Sequence, residues 1–320
     1  MFEFQIMLEA FLQALVAGLL VGGLYGLMCV GLAIIFGIMR VINFAQGDFM
    51  MLGMYVTYFV FIALGMQGLV GGPLGPYVAL VVAVPVMFAV GYLVHLLLIS
   101  RVTGSRTAAL DGEGHYAQLI LTLGIALVLQ NGAMMLFGPQ LVSIRTPLSS
   151  SAWEIGPLWG DMVSVFVNKG RGISAAISLV IIGLLAVLIA RTRLGKSLRA
   201  AADNPTASSY MGIDVGRAYR IAFALGTCIT ALAGGLLATN YPFHPFVGLE
   251  FVIIMYAGVV LGGIGSVIGA FWGGLVIGLV QQLASLVLPT QLQNAAIFVF
   301  FLLIVTLRPQ GLFGRVSERT

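Results

Sequence analysis

Charge is scarce in this chain. Of its 320 residues only 8% are Asp, Glu, Lys or Arg, while 60% are hydrophobic; soluble domains carry roughly 25% charged residues. A soluble fold of this length has too little interior for so much apolar surface. The composition therefore predicts an integral membrane protein, one membrane domain over 1–320. Cysteine is almost absent. Cys29 and Cys228 are the whole complement, and both sit inside apolar stretches, which suits helix packing and not a disulfide framework or a thiolate metal site. The three histidines, His95, His115 and His244, lack metal-ligand spacing. No H-E-x-x-H, no G-x-S-x-G and no paired-acid motif occurs, so neither an enzyme, a cofactor nor a metal site is expected. The opening "MFEFQIMLEA" lacks the basic start and small-residue ending of a removable signal.

One short string argues the other way. "ARTRLGKS" (190–197) fits a relaxed phosphate-loop pattern. That loop needs a preceding buried strand and flexible glycines whose N–H groups cradle phosphate. Here an apolar run precedes it, and Arg191 and Arg193 fill the intervening positions. The letters match and the setting does not, so the chain is not expected to bind nucleotide itself.

What the sequence has in abundance is long apolar runs. Crossing a ~30 Å hydrocarbon core takes about 20 residues. Runs near 11–37, 48–64, 77–99, 117–137, 173–190, 219–240, 251–264, 266–288 and 294–307 predict an all-α polytopic bundle of about nine spans, within a range of eight to ten, with 251–264 short enough for a half-helix. Arg40, Arg101, Arg106, the cluster Arg191, Arg193, Lys196, Arg199, Arg217 and Arg220, and then Arg308, Arg315 and Arg319 all fall on one side if the N-terminus is outside and the C-terminus cytoplasmic. The clustering reads as cytoplasmic loops and not as a nucleic-acid footprint. Loop 138–172, with Trp153, Glu154, Trp159 and Asp161 beside Arg145, Lys169 and Arg171, is then extracytoplasmic, and 191–219 is a cytoplasmic loop.

Two stretches hint at internal symmetry. "GDFMMLGMY" (47–55) and "LEFVIIMYAG" (249–258) each place an acid, Asp48 or Glu250, at the head of an apolar run. In the predicted orientation the runs point in opposite directions, as in an inverted repeat. Polar groups within apolar spans are costly and usually face a cavity or a partner. Asn43, Gln46, Asp48 and Glu250 are therefore candidates for a substrate pathway, with helix capping as the alternative for the two acids. Gln130, Asn131, Gln281 and Gln282 read as hydrogen-bond partners between helices. Gly18, Gly22 and Gly26 share one helix face, and Gly269 and Gly273, with Gly274 and Gly278, form a second stripe; small residues at that spacing let helices approach closely in lipid.

Loop 191–219 contains one strongly marked short helix. Asn204 suits its N-cap, Pro205 its first turn and Gly212 its left-handed end, and Asp214 suits the cap of the next span. A solvated linker does not need such ends, so this helix is expected to dock on a partner.

At these residues the chain resembles the membrane subunits of bacterial ABC importers for branched-chain amino acids, in particular the subunit that pairs with a second, related permease. The motifs are "INFAQGDFMMLGMY" (42–55), "LILTLGIALVLQN" (119–131), "RLGKSLRAAADNPTASSYMGID" (193–214), "VLGGIGSVIGAFWGGLVIG" (260–278) and "RPQGLFGR" (308–315), in the family's order over most of the chain. The loop 101–116, "RVTGSRTAALDGEGHY", departs from the family in lacking an Arg-Pro pair. The resemblance implies an inner-membrane translocation subunit with no nucleotide site of its own. Its implied partners are two cytoplasmic ATPase subunits, a second homologous permease or a second copy of itself, and an extracytoplasmic solute-binding protein. Arg199, Asp203, Asn204 and Gly212 fall in the family's ATPase-coupling segment. Relatives also carry short amides and urea. The competing reading is an autonomous channel or ion-coupled carrier for a small polar solute; Asn204-Pro205 resembles the Asn-Pro-Ala of water channels but lies among cytoplasmic charges.

Overall fold

The structure, a computed structural model of the chain, describes residues 2–65, 73–102, 113–158, 163–289, 292–308 and 310–313. Arg106, Trp159, Asp161, Arg315 and Arg319 lie outside these residues, as does most of the loop 101–116. The helices are α1 (Phe2–Met39), α2 (Gln46–Ala63), α3 (Gly75–Val94, continuing through a π-helical turn His95–Ile99 to Ser100–Val102), α4 (Glu113–Phe137) and α5 (Lys169–Arg191). They continue with α6 (Arg193–Asp203), α7 (Pro205–Tyr210), α8 (Val215–Ala238), α9 (Val247–Gly262), α10 (Val267–Ala284) and α11 (Gln293–Leu307). Each of the nine apolar runs overlaps a helix, though 48–64, 219–240, 251–264 and 266–288 run past the ends of theirs, and among the described residues six helices are long and apolar enough to cross a membrane.

One element departs from the all-α expectation. Within 138–172, strands β1 (Ala152–Leu158) and β2 (Val163–Asn168) form an antiparallel hairpin that pairs Trp153 with Val167 and Glu154 with Phe166. Val165 and Val167 point inward while Phe166 is exposed. This alternation of β-branched residues on one face is the strand period of two.

Two helices form the core. In both α1 and α8, 83% of the apolar window is buried, against 22–33% in the other membrane-length helices. Their neighbours therefore present Leu, Ile and Val outward, as Leu179, Val180, Leu184 and Val187 do on α5. Lipid is as apolar as leucine, so packing holds such helices together only where backbones come close. The glycine stripes allow this. Residues Gly18, Gly22 and Gly26 of α1 lie against α10, where a Cβ at Gly18 or Gly22 would stand 3.0 Å from the Leu279 or Leu275 Cα, and Gly274 abuts the backbone of Gly26. On another face of α10, Gly269 and Gly273 meet Gly262 and Gly258 of α9. One helix is thus clamped between two others.

Hydrogen bonds add specificity. The Tyr25 hydroxyl donates to Gln281 Oε1 at 2.8 Å, and Gln281 Nε2 donates to Asn294 Oδ1 at 3.2 Å, linking α1, α10 and α11. Asn131 instead bonds within its own helix, donating to the Leu127 carbonyl at 2.8 Å. Gln282 packs its Cβ against Gly18.

Candidate functional site

Three adjoining features make up the candidate site: a break between α1 and α2, the start of α9, and the helical segment between α5 and α8. After Met39 the chain leaves the helix, with Arg40 in the left-handed region at φ 54°. It stays non-helical until Gln46, yet Val41, Asn43 and Ala45 are buried. Buried, irregular backbone inside an apolar bundle needs polar partners. Asn43 supplies them, its Oδ1 accepting from the Ala45 N–H at 3.1 Å and its Nδ2 donating to Gln46 Oε1 at 2.8 Å. Gln46 Nε2 in turn donates to the Gly226 carbonyl at 3.2 Å and to the Thr230 hydroxyl. Gly226 and Thr230 lie midway along α8, so α2 starts at half the depth of the bundle.

The start of α9 comes to the same place. A Cβ on Gly248 would sit 2.7 Å from the Gly47 carbonyl carbon and 2.8 Å from Asp48 Oδ1, and one on Gly47 would overlap the Gly248 carbonyl oxygen. Only glycine at both positions permits this approach. Two helix N-termini, each carrying a partial positive charge, therefore meet backbone to backbone. Asp48 lies between them, 2% exposed, in the first turn of α2. Its Oδ1 accepts from Gln130 Nε2 of α4 at 2.9 Å.

Neither acid is the N-cap residue of its helix. The N-cap positions are Ala45 and Phe246, neither of which makes a side-chain cap bond. Asp48 and Glu250 stand inside the first turns, because each helix begins before its acid. The two acids also part company: Asp48 is buried against Gln130, while Glu250 is exposed. Thr230 and Gly226 were not among the candidates, since a small alcohol and a glycine inside an apolar helix carry no signal in sequence.

The segment between α5 and α8 is more structured than a loop with one short helix. Thr192 caps an additional helix, α6, accepting from the Gly195 N–H at 3.0 Å. "RTRLGKS" thus opens a helix packed on the end of α5, where Gly195 abuts Leu188 and Ile189; no strand precedes it. Asn204 caps α7 by accepting from the Ala207 N–H at 2.9 Å, with Pro205 in the first turn. Gly212 ends it at φ +82°, where the Ile213 N–H reaches back to the Ser208 carbonyl at 3.0 Å. Asp214 caps α8 through the Arg217 N–H at 2.8 Å and lies 3.9 Å from Arg220. Arg199 donates to the Ala190 carbonyl at 3.2 Å, on the C-terminal end of α5, and Asp203 is exposed. Beyond this frame Tyr210 and Met211 project, 86% and 82% exposed. Among the described residues no group of His, Cys, Asp and Glu could hold a metal ion.

Helix starts and polar side chains gathered inside an apolar bundle define a class, polytopic membrane proteins built like transporters with broken helices. The family model described as branched-chain amino acid transport system / permease component matches residues 14–307, and the chain belongs to that family. It is 28% identical over 306 residues to the high-affinity branched-chain amino acid transport system permease protein LivH of Escherichia coli K12, covering 95% of this chain and 96% of that protein. It is 30% identical over 306 residues, at the same coverages, to the corresponding permease protein BraD of Pseudomonas aeruginosa. A probable branched-chain amino acid transport permease protein LivH of Methanocaldococcus jannaschii is 30% identical over 263 residues, 81% of this chain and 76% of that protein. No solved structure matches the chain.

Proposed function

We propose that the chain is the membrane-spanning subunit of a binding-protein-dependent importer in the inner membrane, carrying branched-chain or related amino acids and driven by ATPase subunits on separate chains. The family match over 14–307 carries this reading. The full arrangement would contain two ATPases, a second related permease or second copy, and an extracytoplasmic binding protein. The topology that fits has nine crossings, made by α1 to α5 and α8 to α11, with the N-terminus outside. Arg40, Arg101, Arg191, Arg193, Lys196, Arg199, Arg217, Arg220 and Arg308 then lie at the cytoplasmic end, against Arg145, Lys169 and Arg171 outside, in line with the positive-inside bias. The opposed starts of α2 and α9 favour an inverted repeat centred on Gly47 and Gly248.

Roles follow from position. Asn43, Gln46 and Asp48 form the polar element at half depth, and Glu250 stands on the exposed side of α9, toward which a pathway would open. Arg199, Asn204 and Gly212 hold α6 and α7 in shape, Asp203 stands exposed between them, and Tyr210 and Met211 offer an apolar knob to an ATPase. Aromatic and Met side chains are the groups that anchor protein interfaces. Reconstitution with the ATPases and binding protein should give ATP-dependent leucine uptake, lost when 199–212 is scrambled. Leucine flux through the chain alone, without ATP, would instead identify a channel or ion-coupled carrier.

A further inference from the structure

We propose that a cavity at the hairpin end of the bundle receives the transported amino acid, its carboxylate held by Arg145 and Arg171. This rests on the importer reading and topology above. The cavity measures about 340 Å³ and lies where the chain before the hairpin, the start of α5 and the end of α8 converge. That volume falls in the range of roughly 300–1,000 Å³ occupied by small-molecule sites.

The walls divide by chemistry. Arg145 and Arg171 both line the cavity, and among the described residues neither has a carboxylate within ion-pair distance. Two guanidinium forks on one cavity suit a carboxylate, which guanidinium binds with two parallel hydrogen bonds. Arg171 also lies in the first turn of α5, where the N–H groups of Lys169, Gly170 and Arg171 are already taken by the Ser151 and Leu148 carbonyls and the Asn168 cap, so the guanidinium is the group left to a ligand. Ile144, Ala238 and Pro242 give an apolar wall for a branched side chain.

Tyr241 closes the cavity on the side of α9, stacking edge-on against Phe251 at 5.8 Å between ring centres.

The test uses the full chain in lipid nanodiscs and saturation-transfer NMR with millimolar L-leucine, L-leucinamide and 4-methylpentanoate. Leucine should give transfer, leucinamide at least fivefold less. The double variant Arg145→Gln/Arg171→Gln should lose at least fivefold of the leucine signal, and Arg145→Lys/Arg171→Lys, which keeps the charge, should recover part of it. 4-Methylpentanoate, which keeps the carboxylate, should give transfer comparable to that of leucine. Monodisperse elution of each variant shows that it is folded. Absent transfer to the wild-type chain, equal transfer from leucine and leucinamide, or a Gln/Gln variant indistinguishable from wild type overturns the proposal. So does a Gln/Gln variant that keeps the leucine signal but no longer retains the solute-binding protein, because the carboxylate is then the docked protein's. Normal ATP-driven leucine uptake with any of those results removes this site and leaves the importer reading standing; a reconstituted system that carries no amino acid removes both.

Discussion

Gly47→Ala tests the meeting of the two helix starts most directly. A Cβ at that position overlaps the Gly248 carbonyl oxygen, and stands 2.7 Å from its carbon and 3.0 Å from the Val252 Cβ. Non-bonded carbons settle at about 3.5–4.0 Å, so α2 and α9 must separate by about 1 Å to admit one methyl. The obstacle is backbone, and no rotamer change relieves it. Overpacking of this kind costs about 1–3 kcal/mol. Alanine in place of glycine within a helix recovers up to ~1 kcal/mol. The net expectation is a loss of about 1–2 kcal/mol, a factor of roughly ten in the folded population, and a wider gap around Asp48. Gly124→Ala on α4 is the matched control, because nothing lies within 4 Å of a Cβ there; it should be neutral or stabilising. Unfolding in mixed micelles reads stability, and ATP-driven uptake reads function. A Gly47→Ala protein as stable and as active as the Gly124→Ala protein would refute the close approach of α2 and α9.

The other expectations are simpler. Asp48→Asn keeps the shape and the partner Gln130 but removes the charge between two helix N-termini; a hydrogen bond to a charged group contributes about 1.5–3 kcal/mol, so uptake should fall about tenfold or more while assembly, read by co-purification, persists. Unchanged uptake would remove Asp48 from the pathway. Asn204→Ala and Gly212→Ala each weaken α7 by about 1 kcal/mol, through a lost cap and a strained left-handed residue, and should lower substrate-stimulated ATP hydrolysis of the assembled importer without affecting the chain's insertion. In whole cells, Ser150→Cys should react with an impermeant maleimide and Ser209→Cys only after permeabilisation, against a silent background from buried Cys29 and Cys228. The reverse pattern would invert the topology.

Much of this was legible in sequence because it is local. The apolar runs, the Asn204 cap, the Gly212 terminator and the Asp214 cap each depend on residues a few positions apart, and side-chain type nearly dictates them. The helix α6 was not, because Arg193, Lys196 and Arg199 read as solvated charge while Leu198 and Ala201, buried against the bundle, are too few to show a period. The hairpin is written in Val163, Val165 and Val167, but three alternating residues inside a long polar loop are easily outweighed. The pairing of Asp48 with Gln130 is beyond reach of pattern, since 82 positions separate them and the sequence shows only that each needs a partner. The pairing of Gly47 with Gly248 stood between these cases. The two acid-headed runs pointed to related helix starts, but their contact depends on the tertiary path of the chain.

The far end of the molecule holds a further consequence. Gln13, one turn into the apolar part of α1, acts as a strand mimic. Its amide donates to the Phe166 carbonyl at 2.6 Å and accepts from the Phe166 N–H at 2.9 Å. A single side chain thereby occupies the N–H and C=O of Phe166, midway along the edge of β2 at which another strand would otherwise add. It also fastens the hairpin to a helix of 38 residues, about 57 Å long at 1.5 Å per residue. Whatever leans on the hairpin pushes one end of a rod whose other end borders the break at Arg40. In the importer proposed above, the clasp would join the surface for a delivery protein to the break between α1 and α2, by one amide and without any intervening loop.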